Sequence, residues 1–260
     1  MKAVWSQEET EYLVKNYELT KTPILLSVLK NKTNDQLRWK AKEFKLKKRV
    51  SRTKTDCSFL EDFDDAESLY WWGFLTADGC FTEKQIIFSL EEKDSEYVEK
   101  FAKMCGSRVA LVTRNNPWHK APYTMARTVV NDKFIIPRLA KRLKIVPQKT
   151  YNPFDLSEFL TEPRLIYFLA GLIDGDGHIS QRAGDYQIRI KVHYNWHKQF
   201  NLISSKINEF YSVSSSSYVS SQGWAILSIS RKADIQNLKR KLSNSVPLMA
   251  RKWDIVDEYV

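Results

Sequence analysis

Apolar and polar residues recur along this chain with two periods, and the changes of period mark its parts. From Trp5 to about residue 55 the apolar positions return every three or four residues, the helical spacing. Ser6 with Glu9 three residues later has the spacing of a capping box and predicts a helix start, continued by Leu13, Val14 and Tyr17. Thr22-Pro23 opens a second helix bearing Ile24, Leu25, Val28 and Leu29, because proline suits a first helical turn. Thr33 is placed to cap a third, with Leu37, Ala41 and Phe44 turned inward and Asn34, Gln36, Arg38 and Lys40 outward. Trp5, Tyr12, Tyr17, Trp39 and Phe44 are the aromatic residues expected to fill this core. The basic run Lys45-Leu46-Lys47-Lys48-Arg49 follows. Three short helices with a basic third one give a helix-turn-helix pattern, although a protein-docking three-helix unit would carry the same one.

Residues 56–67 hold six acids in twelve positions and read as a solvated linker and domain boundary. Beyond it lies an internal repeat: residues 68–79, SLYWWGFLTADG, match 166–177, IYFLAGLIDGDG, with their Asp-Gly pairs 98 residues apart. After the second pair His178–Arg182 reads as a strand, Gly184-Asp185 as a turn, and Tyr186–His193 as a second strand. There Gln187, Arg189, Lys191 and His193 alternate with Ile188, Ile190 and Val192, which gives one polar, mostly basic face and one apolar face. The first copy is shorter and less basic: Phe81–Lys84, then Gln85–Leu90 with Ile86, Phe88 and Leu90 on one side. Helices are expected near 94–105 and 196–210, and further strands at Val109–Arg114, Tyr123–Val130, Tyr211–Tyr218 and Ala225–Ser230. Each copy closes with another helix and a lysine, Lys149 and Lys252, which follow Asp78 and Asp176 by 71 and 76 residues. The pattern predicts an α+β protein: a helical module over 1–55, an acidic linker over 56–67, and two αββαββα units over 68–160 and 161–260.

Composition narrows the function. The longest apolar run, Leu165–Ile173, has nine residues, against the roughly 18 a membrane span requires, and no signal-peptide pattern opens the chain. Cys57, Cys80 and Cys105 are odd in number and show no Cys-x-x-Cys spacing, which argues against a disulfide framework and a thiolate zinc site and for a reduced, intracellular protein. His193 and His197 are four apart, but His193 falls on a strand, so the pair does not make a helical zinc site. Net charge is +10, of which residues 1–54 carry +8, and this points to a polyanionic partner such as nucleic acid.

Leu169-Ala170-Gly171-Leu172-Ile173-Asp174-Gly175-Asp176-Gly177 resembles the LAGLIDADG motif of the homing endonucleases at every position but one, Gly175 standing for alanine. Trp71 to Gly79 is a divergent copy that keeps Gly73, Ala77, Asp78 and Gly79. With their matching strands and lysines, the two copies resemble the single-chain, two-motif members of that family over about three quarters of the chain. The N-terminal stretch resembles the Myb/SANT-like helix-turn-helix modules.

The resemblance implies that the two motif helices pack side by side through Gly73, Ala170 and Gly171 and bring Asp78 and Asp176 together at their C-terminal ends. Two adjacent carboxylates at negative helix ends conflict, and at least one should have a raised pKa unless cations intervene. The implied chemistry is hydrolysis of one phosphodiester per strand of duplex DNA, with Mg2+ (or Mn2+) held by Asp78 and Asp176 and by the carbonyls of Ala77 and Gly175. Lys149 and Lys252 match residues that polarise water or stabilise developing charge, though ordinary exposed lysines would fit as well. Glu92 and Tyr194 fall where the family places a solvent-organising polar residue, with His193 a rival to Tyr194. Asp174, replaced by Thr76 in the first copy, is assigned a structural role. Trp71 and Trp72 depart from the family pattern, and Trp72 would crowd the helix interface unless its ring turns aside.

Two saddle-shaped antiparallel sheets are implied over the major groove, reading bases through Arg182, Gln187, Arg189, Lys191 and His193 in the second copy and Thr82, Lys84 and Ser89 in the first. A surface sheet without a DNA role would show the same alternation. Asn34, Gln36, Arg38, Lys40, Lys45, Lys47, Lys48 and Arg49 would add contacts from the N-terminal module. The expected protein is a monomer that needs no protein partner or membrane and binds a long, asymmetric double-stranded target. It is expected in the cytoplasm and to be prokaryotic or phage-encoded. The ends of the chain lack intein signatures, which suggests an intron-encoded or free-standing enzyme. Two rival readings use the same scaffold: a DNA-binding regulator that does not cut, and an RNA-splicing maturase.

Overall fold

The structure, a computed structural model, describes residues 4–18, 20, 22–47, 55–114, 122–182 and 185–256. Lys48, Arg49, Gly184 and the side chain of Arg182 lie outside the described residues.

Helices α1 (Gln7–Asn16), α2 (Thr22–Val28) and α3 (Asn34–Glu43) gather around Leu13, Tyr17, Leu25, Leu29, Leu37 and Ala41, a core separate from that of the rest of the chain. The expected capping box of Ser6 with Glu9 forms, and Thr33 caps α3 as expected, here as a full box with Gln36. Trp39 and Phe44 correct the expected core, being 75% and 42% exposed. Leu37 and Ala41 define the inner face of α3, and Trp39, two residues on from Leu37, points away from it. Phe44 is the C-cap, where the chain leaves the helix. Lys42 and Lys40 lie over these two rings instead.

Residues 56–67 are not the solvated segment their acidity suggests. Cys57, Leu60 and Phe63 are buried in the main core, and the acids between them face outward to partners. Glu61 takes a two-pronged hydrogen bond from Arg138, Asp64 takes one from Arg164, and Asp65 caps the next helix.

Helix α4 (Ala66–Asp78) is followed by β1 (Gly79–Phe81), β2 (Gln85–Glu91), α5 (Ser95–Met104), β3 (Val109–Arg114), β4 (Tyr123–Asn131) and α6 (Ile135–Arg142). The order recurs in α7 (Arg164–Asp176), β5 (Gly177–Arg182), β6 (Asp185–His193), α8 (His197–Tyr211), β7 (Ser215–Val219), β8 (Trp224–Ile229) and α9 (Lys232–Leu242), and a short α10 (Ala250–Trp253) ends the described chain. Each repeat holds one antiparallel sheet, ordered β1-β2-β4-β3 and β5-β6-β8-β7. The fold is thus the expected pair of αββαββα units, with two local differences. Thr82–Lys84 form the turn after a strand that already ends at Phe81. Tyr211 extends α8, because Phe200, Ile203 and Ile207 carry its apolar stripe onward, and the strand begins only at Ser215.

The inner faces of both sheets carry the aliphatic and aromatic residues of the alternating strands, and α4 and α7 pack against each other between them. Their crossing is set by glycine. A Cβ on Gly73 would stand 1.9 Å from the carbonyl oxygen of Phe168, and one on Gly171 would stand 1.9 Å from that of Tyr70. One turn further on, a Cβ at Gly175 would lie 2.1 Å from the methyl of Ala77. Only one of these two facing positions can hold a side chain, which accounts for glycine in one motif and alanine in the other. Trp72 turns aside as the interface requires: its indole nitrogen donates to Leu60 O and its ring stacks on Phe63 and Phe81.

Two substitutions test this crossing. Gly73→Ala should cost more than about 3 kcal/mol, because the obstacle is backbone and cannot rotate away. Gly175→Ala should also destabilise, and adding Ala77→Gly should restore most of the loss by moving the methyl to the other helix. Denaturant melts of the singles and the double measure this, and additive losses would refute the pairing.

Candidate active site

The last residues of α4 and α7 are Asp78 and Asp176, each followed by a glycine that opens a strand. A Cβ at Gly79 or Gly177 would come within 2.5 Å of the carbonyl oxygen of Leu75 or Ile173, so the chain can turn straight from helix into strand only with glycine there. Both aspartates are open to solvent, in a cleft where the two helix ends meet. The Asp78 carboxylate leans across the interface, and a Cβ on Gly175 would be 3.1 Å from its Oδ2. The surrounding protein, and next the charge of Asp176, push the Asp78 carboxyl up to about 7, against the pull of Lys149 and Lys252. Crowding raises Asp176 too, opposed by the same lysines. The conflict expected from the sequence is therefore present.

The lysines sit differently from a simple partner to each carboxylate. Lys149 Nζ donates to the carbonyl oxygens of Thr76 and Ala77, both at 2.6 Å. Lys252 Nζ reaches four, those of Ile173, Asp174, Gly175 and Gly177, at 2.6–3.0 Å. Each ammonium thus closes the C-terminal end of its own motif helix, where carbonyls lack helical partners and the dipole is negative. Desolvation holds both lysines below the ordinary lysine pKa, opposed by the nearby carboxylates. The carbonyls of Ala77 and Gly175 already accept these bonds.

Asp174 is fully buried and takes three hydrogen bonds, from the Tyr70 hydroxyl, the Met249 backbone N–H and the Trp253 indole. Burial raises its pKa to about 6 against the pull of these donors. Its oxygens moor the segment that carries Lys252. In the matching place the Thr76 hydroxyl donates to Trp72 O of its own helix.

A second mooring was not legible in the sequence. Buried Asp94, in the 3-10 turn Glu92–Asp94, receives a two-pronged bond from Arg251 at 2.6 and 2.7 Å. Tyr97 nearby donates to Leu248 O and accepts from the Ala250 N–H. In the opposite sense the Trp196 indole lies 3.1–3.2 Å from the carbonyls of Lys149 and Thr150, and Asn195 donates to Tyr151 O. Each lysine segment is therefore docked on the other repeat.

Of the solvent-organising candidates, Glu92 and Tyr194 open equivalent exposed 3-10 turns. His193, packed edge-on against Tyr151, lines a cavity of about 190 Å3 together with Lys149, Asp176, Lys191, Trp196 and Trp224, and Tyr194 does not line it. The sheet residues stand on the outer faces as expected: Ser89 on β2, and Gln187, Arg189 and Lys191 on β6. Thr82 and Lys84 sit at the β1–β2 turn. Asn34, Arg38, Lys45 and Lys47 are exposed, while Gln36 is engaged in the α3 cap and Lys40 in a bond to Glu43.

The donor set can be tested against a divalent cation. Among the described residues no group of three or more His, Cys, Asp or Glu side chains gathers, so the protein offers two carboxylates and carbonyl oxygens. That all-oxygen, incomplete set fits Mg2+, whose shell is completed by water and phosphate oxygens, and does not fit zinc. Among the described residues no helix is long and apolar enough to cross a membrane.

This architecture, two repeats joined by motif helices that end in paired aspartates, is the tandem LAGLIDADG fold. The homing endonuclease I-WcaI bound to its DNA recognition sequence superposes with a TM-score of 0.53 at 12% identity, over 78% of this chain and 92% of that one. I-SmaMI bound to an uncleaved DNA target in the presence of calcium ions gives 0.47 at 13% identity, over 70% and 86%. Full-length DUF199/WhiA from Thermatoga maritima gives 0.45 at 15% identity, over 75% and 61%. No protein-family sequence profile and no curated protein sequence matches the chain.

The raised Asp78 pKa has a consequence for stability. Its folded value, about 7, lies above its ordinary 3.8, so folding favours the protonated form. The associated stability is complete below about pH 4 and is lost as pH rises through 7. Asp78→Asn should therefore melt about 2–4 °C above wild type at pH 8, a gain limited by solvent screening, and at nearly the same temperature at pH 4.5. Mg2+ should raise the wild-type melting temperature at pH 8 and leave that of the variant in place. A variant that melts lower at pH 8 would show that the carboxylates do not repel.

Proposed function

We propose that this chain is a site-specific, double-stranded DNA endonuclease that hydrolyses one phosphodiester on each strand. The observation that carries the reading is the pair of exposed aspartates at the abutting ends of α4 and α7, where Asp78 leans across the interface towards Asp176 and both carboxyls are raised above their ordinary pKa. A binding protein gains nothing from two carboxylates placed where they repel each other and would repel a phosphate backbone.

Asp78 and Asp176 would hold the cations, and a bound divalent ion supplies charge neutralisation at the phosphate and lowers the pKa of its water. Lys149 and Lys252 fix the helix ends and offset negative charge that builds up in the cleft. His193, on the wall of the cavity beside Asp176, is placed to orient a water or take its proton on the repeat-two side. Glu91 holds the same register position in repeat one, with Glu92 beside it. The outer sheet faces supply the DNA surface, basic on repeat two through Arg189 and Lys191. The α1–α3 module, with Arg38, Lys45 and Lys47 exposed, adds a second contact with the duplex that raises affinity through effective concentration. Because both halves of the site lie in one chain, it works as a monomer, and intron homing is the process such an enzyme serves.

Plasmid cleavage with a library of candidate sites tests the proposal. Mg2+-dependent cutting at a discrete site is expected, abolished by EDTA. Asp78→Asn and Asp176→Asn should each reduce the rate by at least about 100-fold while DNA binding persists. Tight site-specific binding by wild type without any cutting would instead assign the chain as a regulator, and preferential binding to intron RNA would assign it as a maturase.

A further inference from the structure

The two repeats present chemically different surfaces to whatever spans them. Matching the ends of β2 and β6, Ile87 corresponds to Arg189, Ser89 to Lys191 and Glu91 to His193. Cross-strand neighbours continue the contrast. Ile87 pairs with Val129 where Arg189 pairs with Ser228, and Glu91 pairs with Met125 where His193 pairs with Trp224. On the next strand out, Ala110 and Val112 face Arg127 and Met125. On the outer face of the first sheet, where the second carries Arg189 and Lys191, Ile87 with Val129 and, two residues along, Met125 with Val112 are thus half-buried aliphatic pairs, separated by Ser89 and Arg127 and bordered by exposed Glu91. Arg127 is the cation between the pairs, and its Nε is buried without a hydrogen-bond partner.

Resting on the endonuclease reading, we propose that the half-site under repeat one is rich in A·T pairs and is recognised through thymine methyl groups. The occupant follows from continuity. The two outer faces flank one carboxylate pair, so a duplex held by the basic face of repeat two continues across the aliphatic face of repeat one. In the major groove the base edges present hydrogen-bond donors and acceptors, and the thymine 5-methyl is the one large apolar group among them. Ile87, Val129, Met125 and Val112 cannot satisfy those polar groups, and desolvating them unpaired carries a penalty. Thymine is the base whose edge rewards such a surface. The Arg127 guanidinium, between the two aliphatic pairs, would contact one phosphate or guanine and fix the register of this face on the duplex. The half-site under repeat two is read through Arg189 and Lys191, whose side chains suit guanine edges and phosphates.

The test uses the full-length chain in EDTA to select sites from a randomised duplex library. Arg189→Ala, which should relax base preference in one half only, assigns that half to repeat two. Thymines are then replaced by deoxyuridine in one half at a time. Binding should weaken about fourfold per methyl removed from the repeat-one half, and much less in the other. Ile87→Arg, which copies the residue of the second repeat, should shift one selected position from thymine towards guanine. The uridine measurement on wild-type protein stands even if that variant does not fold. A selected repeat-one half that is rich in G·C, or that tolerates uridine, overturns the proposal and leaves the endonuclease reading intact. Failure to select any sequence overturns both.

Discussion

The near-contact of α4 with α7 is the constraint on which the rest depends. Gly73 and Gly171 let a carbonyl of each helix lie where the other would carry a side chain, so neither helix can slide or roll without a backbone clash. That fixes the two C-terminal ends side by side and sets Asp78 and Asp176 at a common point. The sheets inherit their positions directly, since β1 and β5 begin at the residue after each aspartate. Backbone packing alone thus determines where the carboxylates are, and the unfavourable electrostatics there must be borne by other groups.

Those groups are mainly the lysines, and their arrangement differs from a direct ion pair. By bonding carbonyls, Lys149 and Lys252 leave the carboxylate oxygens available to ligands while still lowering the local negative potential. A lysine bound to the carboxylate itself would have stabilised the protein more and closed the site. Asp174 extends the logic in one repeat only. It spends a buried acceptor on Tyr70, Met249 and Trp253 to hold the Lys252 segment, whereas Lys149 is placed by the backbone contacts of its segment with Trp196 and Asn195.

Local signals in the sequence suffice for the repeat, the strand alternation, the Ser6–Glu9 capping box, the Thr33 cap and the aspartates at helix ends, because each depends on residues within a few positions. They failed where partners are distant. Nothing near Asp94 announces Arg251, 157 residues away. The acids of residues 56–67 masked the apolar spacing of Cys57, Leu60 and Phe63, which dock on the main core. Trp39 reads as inward from aromatic character alone, although the four-residue spacing of Leu37 and Ala41 places it on the other side of α3, while Phe44 continues that spacing but falls at the C-cap, where the helix has ended. The lysines were legible as residues but not as carbonyl ligands, since side-chain direction at the end of a long connection leaves no periodic trace.

The reciprocal docking of the closing segments also determines how the molecule yields under load. Each repeat is fastened twice, once through the motif helices and once through a strap anchored on its neighbour, by Arg251 on Asp94 in one direction and Trp196 on the Lys149 segment in the other. A hinge between the sheets would have to break both straps together, so the straps stiffen the angle that the motif helices set. In the proposed endonuclease role the bending would fall to the DNA, and its stiffness at the steps over the paired aspartates would become part of what is selected, at base pairs that no side chain touches.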